Sequence, residues 1–89
     1  MEELYPKWKG KPVVPSYHAY REMENKFDLF DILEILEHGF DCQKSRRAKG
    51  TIERCVTKKG KLIRVIVVDT YSDWMGGNIW LIKHIGQEI

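Results

Sequence analysis

The spacing of apolar residues changes near residue 50, and this change most restricts how the chain can fold. Before it, apolar side chains recur at helical spacing; after it, they alternate with polar side chains, as in a strand with one buried face. Helices followed by strands along a chain are typical of an α+β domain. We therefore expect two N-terminal helices packed on a sheet of three to four antiparallel strands.

Capping residues indicate where the two helices begin. Ser16 stands directly before the first helical pattern and Asp28 before the second, and both types of side chain accept hydrogen bonds from the first turn of a helix. Gly39 is a typical residue to end the second helix. All three prolines precede the first cap. Residues 1–15 are therefore expected to form an extended arm, and residues 16–89 a single α+β domain.

The segment after residue 50 predicts a β-hairpin with a defined register. "TIERCVTK" and "LIRVIVVD" are strand-like, and a two-residue turn at Lys59 and Gly60 would join them. With that turn, one face carries three mostly apolar pairs: Val56–Ile63, Arg54–Val65 and Ile52–Val67. This face should be the core side, because a register shifted by one residue would expose its apolar side chains.

The segment "NIWLIKHI" predicts the last strand. Strict alternation divides its side chains into two sets on opposite faces, namely Trp80, Ile82 and His84, and Ile79, Leu81, Lys83 and Ile85. Because Lys83 and His84 are adjacent, we expect them on opposite faces, where they cannot act in one site.

Length and composition favour a small intracellular protein. The chain has 89 residues, no apolar run approaches the roughly 20 residues that cross a bilayer, and the N-terminal stretch lacks a secretory signal. A cytoplasmic location is therefore expected. Cys42 and Cys55 could form one disulfide, but in an intracellular chain we expect them to be reduced and buried. The single, scattered histidines and cysteines do not form a zinc pattern, so no metal or cofactor is expected.

Charge is divided unevenly between the two halves of the chain. Residues 1–43 carry five Lys/Arg against nine Asp/Glu, a net charge of −4, whereas residues 44–89 carry ten against four, a net charge of +6. Such asymmetry suggests that the basic half contacts an anion, most commonly nucleic acid; the alternative is a solvated surface. The candidate nucleic-acid contacts are Arg46, Arg47, Lys49, Lys61 and Arg21.

Histidine supplies the candidate catalytic groups. His18 and Arg21 lie one turn apart in the first helical segment, and His84 lies near the end of the last strand. An imidazole can act as a general acid or base near neutral pH, and a guanidinium can hold a phosphate. We therefore select His84, His18 and Arg64 as candidate catalytic residues. The alternative for each histidine is a structural hydrogen bond.

One short motif resembles a known family. "SYHAYREM" followed by "FDLFDILEILEHG" is similar to small uncharacterised prokaryotic proteins that open with a Ser/Thr-x-His-Ala-x-x-Arg-Met helix. The resemblance covers about residues 16–85 and matches at Ser16, His18, Ala19 and Met23. It departs at the arginine, because Glu22 precedes the methionine here and Arg21 comes one position early.

That family is grouped with RelE-like and BrnT-like toxins, which are small α+β ribonucleases. The resemblance implies a RelE-like fold and metal-independent RNA cleavage, in which the RNA's 2′-hydroxyl attacks while basic side chains hold the phosphate. The implied partners are RNA, free or on ribosomes, and an acidic antitoxin protein; the chain itself would be a monomer or a homodimer, away from membranes. The alternative is a non-catalytic RNA-binding or protein-interaction module of the same fold.

Overall fold

The computed structural model describes residues 5–42 and 49–88. In chain order its elements are β1 (Lys7–Trp8), β2 (Lys11–Pro15), α1 (Tyr17–Met23), α2 (Leu29–His38), β3 (Phe40–Asp41), β4 (Thr51–Lys58), β5 (Lys61–Ser72) and β6 (Gly77–Glu88). Neither helix within these ranges is long and apolar enough to cross a membrane.

The strands form one six-stranded sheet in the order β1-β2-β6-β5-β4-β3. The prediction of two helices on a three- to four-stranded antiparallel sheet is therefore wrong, because the sheet dominates the fold and the helices are short. The strands absent from the prediction are β1 and β2, whereas β3 lies in a segment expected to be either a loop or an irregular edge strand. β2 also pairs with β6 in parallel, which makes the sheet mixed rather than antiparallel.

β2 contains Pro12 and Pro15, whose missing N–H groups fall outside the ladder. The Val13 N–H donates to the carbonyl of Pro6, on the β1 side of the strand. Because N–H groups alternate in direction along a strand, the nitrogen of Pro15 faces the β1 side and that of Pro12 faces β6. Pairing with β6 begins only at Val13 opposite Trp80, after Pro12. The prolines that indicated an extended arm are therefore compatible with a sheet strand.

The predicted hairpin register is confirmed. Val56 lies opposite Ile63, Arg54 opposite Val65 and Ile52 opposite Val67. Ile63, Val65 and Val67 are buried in the core, and Val56 and Ile52 pack against it. The apolar face of the hairpin is thus the core side, as expected.

A β-bulge in β6 overturns the predicted alternation of the last strand. Val67 pairs with Ile82, whereas Ile66 pairs with His84. Lys83 is therefore an extra residue in β6 without a partner position in β5. The bulge reverses which face the following side chains occupy. Ile85 therefore joins Ile82 in the core, and His84 lies on the opposite face. A pattern of strict alternation cannot reveal such an insertion.

Both helices begin at the predicted caps. Ser16 Oγ accepts a hydrogen bond from the Ala19 N–H at 3.1 Å, and Asp28 and Asp31 each accept one from the other's N–H, at 2.8 and 2.9 Å. The helices place their apolar faces on one side of the sheet. The resulting core contains Trp8, Val13, Ala19, Met23, Ile32, Ile35, Leu36, Ile63, Val65, Val67, Trp80, Ile82 and Ile85.

Gly39 ends α2 for a reason other than left-handed geometry. Its φ of −74° is available to any residue. A Cβ atom at this position, however, would lie 2.5 Å from the carbonyl oxygen of Ile35 and 2.6 Å from that of Cys55. Glycine is therefore needed because the end of α2 approaches the backbone of β4 closely.

Cys42 and Cys55 form a disulfide, with Cα atoms 5.5 Å apart. The expectation that both thiols are reduced is therefore wrong for this structure. Phe40 of β3 pairs with Cys55 of β4, and this pairing brings the cysteine that follows β3 into reach. The segment "FDCQKSRRAKG", which begins at Phe40, has no clean periodicity and was expected to be a loop or an irregular edge strand. Neither expectation gave a register with β4, so the sequence did not indicate that the two cysteines meet.

Candidate acid–base site

α1 occupies the part of the β6 edge that β2 leaves open. β2 pairs with β6 only as far as Pro15 opposite Ile82, and the Ser16 N–H then donates to the Ile82 carbonyl at 3.0 Å as the chain turns into α1. Further along β6, the N–H of Ile85 donates to Oε1 of Glu22 at 3.0 Å. A helix side chain thus satisfies a backbone group that has no strand partner there.

The second oxygen of Glu22 contacts both histidines that the sequence suggested. Its Oε2 lies 2.9 Å from Nδ1 of His84 and 3.3 Å from Nε2 of His18. His18 and Glu22 share a face of α1 because they are four residues apart. The two imidazole rings are nearly parallel, at an angle of 21°, with their centroids 6.5 Å apart. Two predicted catalytic residues therefore meet around one carboxylate.

Glu22 sets the direction of the His84 ring. An ionised carboxylate only accepts hydrogen bonds, so the hydrogen shared with Glu22 lies on Nδ1 and the neutral ring carries its lone pair on Nε2. The ring lies over Gly86, where a Cβ atom would be 3.1 Å from Cε1 and 3.2 Å from Nε2 of His84. Gly86 therefore leaves space for the imidazole ring in this position.

Arg64 lies on the same face of the sheet as His84. Arg64 of β5 pairs with Gly86 of β6, and Ile66 of β5 pairs with His84. The arginine and the histidine are therefore diagonal neighbours on adjacent strands. Such neighbours are about 7–8 Å apart, within reach of long side chains. On the other side of Arg64, the buried Glu53 occupies the matching diagonal position on β4. The face thus carries a guanidinium beside the imidazole.

The site is open to large ligands. His18 has 70% of its side chain exposed, whereas Glu22 and His84 have 24% and 32%. Two surface grooves lie elsewhere on the described surface, one between α2 and the β4–β5 hairpin and one around Tyr20 and Met23. The cluster is therefore only partly exposed at its two inner members, whereas His18 faces solvent.

The other predicted basic residues are not gathered at this site. Arg21 points along α1, where Nη1 donates to the Tyr17 hydroxyl at 3.1 Å and Nε lies 3.8 Å from a Glu24 oxygen. Lys49 precedes β4, whereas Lys61 pairs with Lys58 at the opposite end of that strand. Lys49 and Lys61 therefore lie at opposite ends of the hairpin.

Arg46 and Arg47 lie outside the described residues. Their proposed phosphate contacts therefore stay predictions.

Glu22 is the main site residue that sequence reasoning missed. The His18-x-x-x-Glu22 spacing, which puts both side chains on one helical face, was the available signal. Glu22 also occupies the position where the resembling family has arginine, and this position was treated only as a departure from the pattern. Gly86 is the second residue that the sequence did not indicate, because its importance depends on the His84 ring lying over it.

Chemically, the arrangement offers proton transfer at His84, a cation at Arg64 and a carboxylate that orients the imidazole. The nitrogen and oxygen atoms of His18, Glu22 and His84 also lie within 4.8 Å of one another, a spacing that a metal ion can bridge. Comparison of the chain with models of protein families, with curated proteins and with solved structures gives no match.

Proposed function

We propose that this protein binds RNA and cleaves it through attack of the RNA's own 2′-hydroxyl. The observation that carries the proposal is the Glu22–His84 contact of 2.9 Å, which directs Nδ1 towards the carboxylate and places the second ring nitrogen, Nε2, over Gly86. Arg64 lies diagonally across on the same face, where it can hold the phosphate. A base and a phosphate-binding cation on one rigid sheet are the minimum that this reaction needs.

The proposed step balances its protons within the chain. His84 Nε2 takes the proton of the 2′-hydroxyl while the 2′-oxygen forms a bond to phosphorus. The bond between phosphorus and the 5′-oxygen breaks, and the 5′-oxygen takes up a proton from the imidazolium of His18. The products are a 2′,3′-cyclic phosphate and a free 5′-hydroxyl. Arg64 stabilises the negative charge that develops on the phosphate, which is commonly the largest catalytic contribution.

Glu22 is a positioning residue in this scheme. It is held by the Ile85 N–H at 3.0 Å and so presents its other oxygen to both imidazoles. A carboxylate in this position orients the ring and stabilises the imidazolium that forms during proton transfer, as in catalytic triads. The geometry supports this role more directly than it supports the part of His18, whose ring is largely exposed.

Exposed lysines at the β4–β5 turn supply the proposed RNA contacts away from the reacting phosphate. Lys58, Lys59 and Lys61 lie at the end of the hairpin that is nearer to Arg64. Such contacts add affinity without reading sequence, and they weaken as salt displaces them from the phosphates. An acidic antitoxin protein that covered these lysines would block the same surface.

The test is RNA cleavage by the purified protein in a chelating buffer, with free RNA and with translating ribosomes. The variant is the double substitution His84→Ala, Arg64→Ala. The matched control is His38→Ala, because His38 is exposed and also lies beside a glutamate, 4.0 Å from Glu37, but belongs to α2 rather than to α1 or β6. Circular dichroism establishes that all three proteins are folded.

We expect the wild type and His38→Ala to cleave equally and to leave 2′,3′-cyclic phosphate ends. The double variant should be slower by about 100-fold or more, the usual contribution of a general base. Cleavage that is unchanged in the double variant would refute the assignment of the site. RNA that binds in a salt-dependent way but is not cleaved by any form would make the protein a binding module.

The proposed substrate implies a cytoplasmic location, whereas disulfides persist mainly in oxidising compartments. The state of Cys42 and Cys55 in cells therefore bears on the location. Rapid alkylation of lysed cells followed by mass spectrometry would show labelled thiols if the protein resides in the cytoplasm. A fully oxidised pair would contradict that location.

A further inference from the structure

We infer that His18, Glu22 and His84 bind one divalent transition-metal ion, with zinc as the best match. Binding of the ion to Nδ1 of His84 would prevent the other ring nitrogen, Nε2, from accepting a proton. The three ligand atoms are His18 Nε2, Glu22 Oε2 and His84 Nδ1, which lie within 4.8 Å of one another. They come from two elements, α1 and β6, that the core holds against each other.

The distances suit tetrahedral coordination. Zinc bonds of about 2.0–2.1 Å place neighbouring ligand atoms roughly 3.3 Å apart. Glu22 Oε2 lies 3.3 Å from the His18 nitrogen and 2.9 Å from the His84 nitrogen. The 2.9 Å separation must therefore lengthen slightly when the ion binds. The two histidine nitrogens lie within 4.8 Å of each other, and the exposed side chain of His18 can rotate to adjust that separation.

The surroundings hold the ligands as metal sites require. The Ile85 N–H fixes Oε1 of Glu22 at 3.0 Å, so the carboxylate would bind the ion through Oε2 alone. Hydrogen bonds to a ligand from groups that do not bind the metal orient that ligand and raise the affinity for the metal. Since His18 is 70% exposed, the remaining coordination position would face solvent and hold water.

The donor set selects the class of ion. Two imidazoles and one carboxylate suit zinc and similar transition metals, whereas calcium and magnesium prefer sites made of oxygen atoms. The two cysteines are joined to each other and offer no thiolate that would compete for zinc.

The consequence for catalysis rests on the proposed function, whereas the binding does not. Without metal, the hydrogen of His84 lies on Nδ1 and the lone pair on Nε2. A metal ion needs the lone pair of Nδ1, so the hydrogen must move to Nε2. That nitrogen then donates instead of accepting, and it can no longer take the proton of a 2′-hydroxyl. Zinc should therefore inhibit RNA cleavage.

The binding test uses tag-free, oxidised protein and needs no RNA. Zinc titration is followed by calorimetry, and cobalt(II) by the visible absorption of tetrahedral coordination. The variants His18→Ala, Glu22→Gln and His84→Ala each remove a ligand or weaken it, and His38→Ala is again the matched control. Circular dichroism confirms that each variant is folded.

We expect one ion per chain in the wild type and in His38→Ala. Each ligand variant should bind the ion at least about 10-fold more weakly. Loss of a residue that only orients a ligand already lowers metal affinity by about 10- to 100-fold. Absence of saturable binding in the wild type, or an equal loss in His38→Ala, would overturn the inference.

Cleavage assays with and without one equivalent of zinc separate this inference from the proposed function. Saturable zinc binding by a protein that cleaves no RNA would refute the proposed function and leave the metal site standing. Cleavage without zinc binding would refute the metal site and leave the proposed function standing. Cleavage that continues at full rate in the zinc-loaded protein would refute the block of His84.

Discussion

The Oε1 atom of Glu22 accepts a hydrogen bond from the backbone N–H of Ile85 at 3.0 Å, and this contact ties the first helix to the last strand. The same carboxylate contacts His18 and His84 through its other oxygen. Glu22 therefore has a structural role and a chemical role. Substitutions that keep one role and change the other can separate the two.

Glu22→Gln should preserve the fold and reduce RNA cleavage. The glutamine oxygen can still accept the Ile85 N–H, but the amide nitrogen then faces His84 and donates, which moves the ring hydrogen to Nε2. We expect cleavage in a chelating buffer to fall about 100-fold, the scale of a lost general base, with RNA binding unchanged. Glu24→Gln is the control, because Glu24 is exposed and contacts only the Arg21 guanidinium among the ion pairs described. Equal rates for the two variants would show that the His84 tautomer does not matter.

Gly86→Ala should displace the His84 ring. The new Cβ would lie 3.1 and 3.2 Å from Cε1 and Nε2 of the imidazole, closer than most real contacts, so the ring must move. A small misplacement of a catalytic group can be costly, and we expect cleavage to fall about tenfold. The nitrogen chemical shifts of His84 should change as well. In the control variant Gly77→Ala, the new Cβ meets no atom within 4 Å, so both quantities should stay unchanged.

Gly39→Ala should destabilise the protein although the backbone there is not left-handed. The added methyl group would lie 2.5 and 2.6 Å from two backbone carbonyl oxygens, so α2 and β4 must separate. We expect a loss of about 1–3 kcal/mol in the free energy of unfolding, as for other overpacked sites. Urea denaturation of Gly39→Ala beside Gly77→Ala measures it. A midpoint no lower than that of Gly77→Ala would mean that the close approach is absent.

Reduction of the Cys42–Cys55 disulfide should lower stability. The two cysteines are 13 residues apart, and closing a loop of about 15 residues stabilises a protein by about 3 kcal/mol through the entropy of the unfolded chain. Urea denaturation with and without a reducing agent measures the difference. Cys42→Ser, Cys55→Ser serves as the control, since a reducing agent should not change its midpoint. Unchanged stability of the wild type on reduction would contradict the bond.

The stabilising contribution of ionised Asp69 should be lost in acid. Hydrogen bonds from Lys11 and then Asn78 lower the pKa of the Asp69 carboxyl below its usual 3.8. A group whose pKa is lower in the folded state stabilises it above the unfolded pKa, and this contribution disappears as the pH falls through the folded pKa. Asp69→Asn should therefore be less stable than the wild type at pH 6, and the difference should shrink below pH 3.8. A difference that does not depend on pH would argue against the ionised pair.

The local features of the fold could be predicted from the sequence. The register of the β4–β5 hairpin follows from the turn at Lys59 and Gly60 together with alternating side chains, and both signals lie within a few residues of the structure they specify. The caps at Ser16 and Asp28 are equally local. The α+β composition follows from the same patterns.

The features that depend on distant segments could not be predicted. β2 became a sheet strand only because β6 lies beside it, and the prolines of β2 suggested otherwise. The bulge at Lys83 depends on how β6 fits against β5. His18 and His84 were chosen because imidazoles do acid–base chemistry, but their meeting at Glu22 depends on both of these distant arrangements.

The parallel pairing of Val13 with Trp80 has a consequence for synthesis on the ribosome. β2 emerges early but can find its partner only after β6 has left the exit tunnel, and such distant pairings make folding slow. Until then, the apolar faces of α1 and α2 have no complete sheet to cover. The apolar side chains of these early segments therefore stay exposed until β6 has emerged, and such exposure favours aggregation of the unfinished fold.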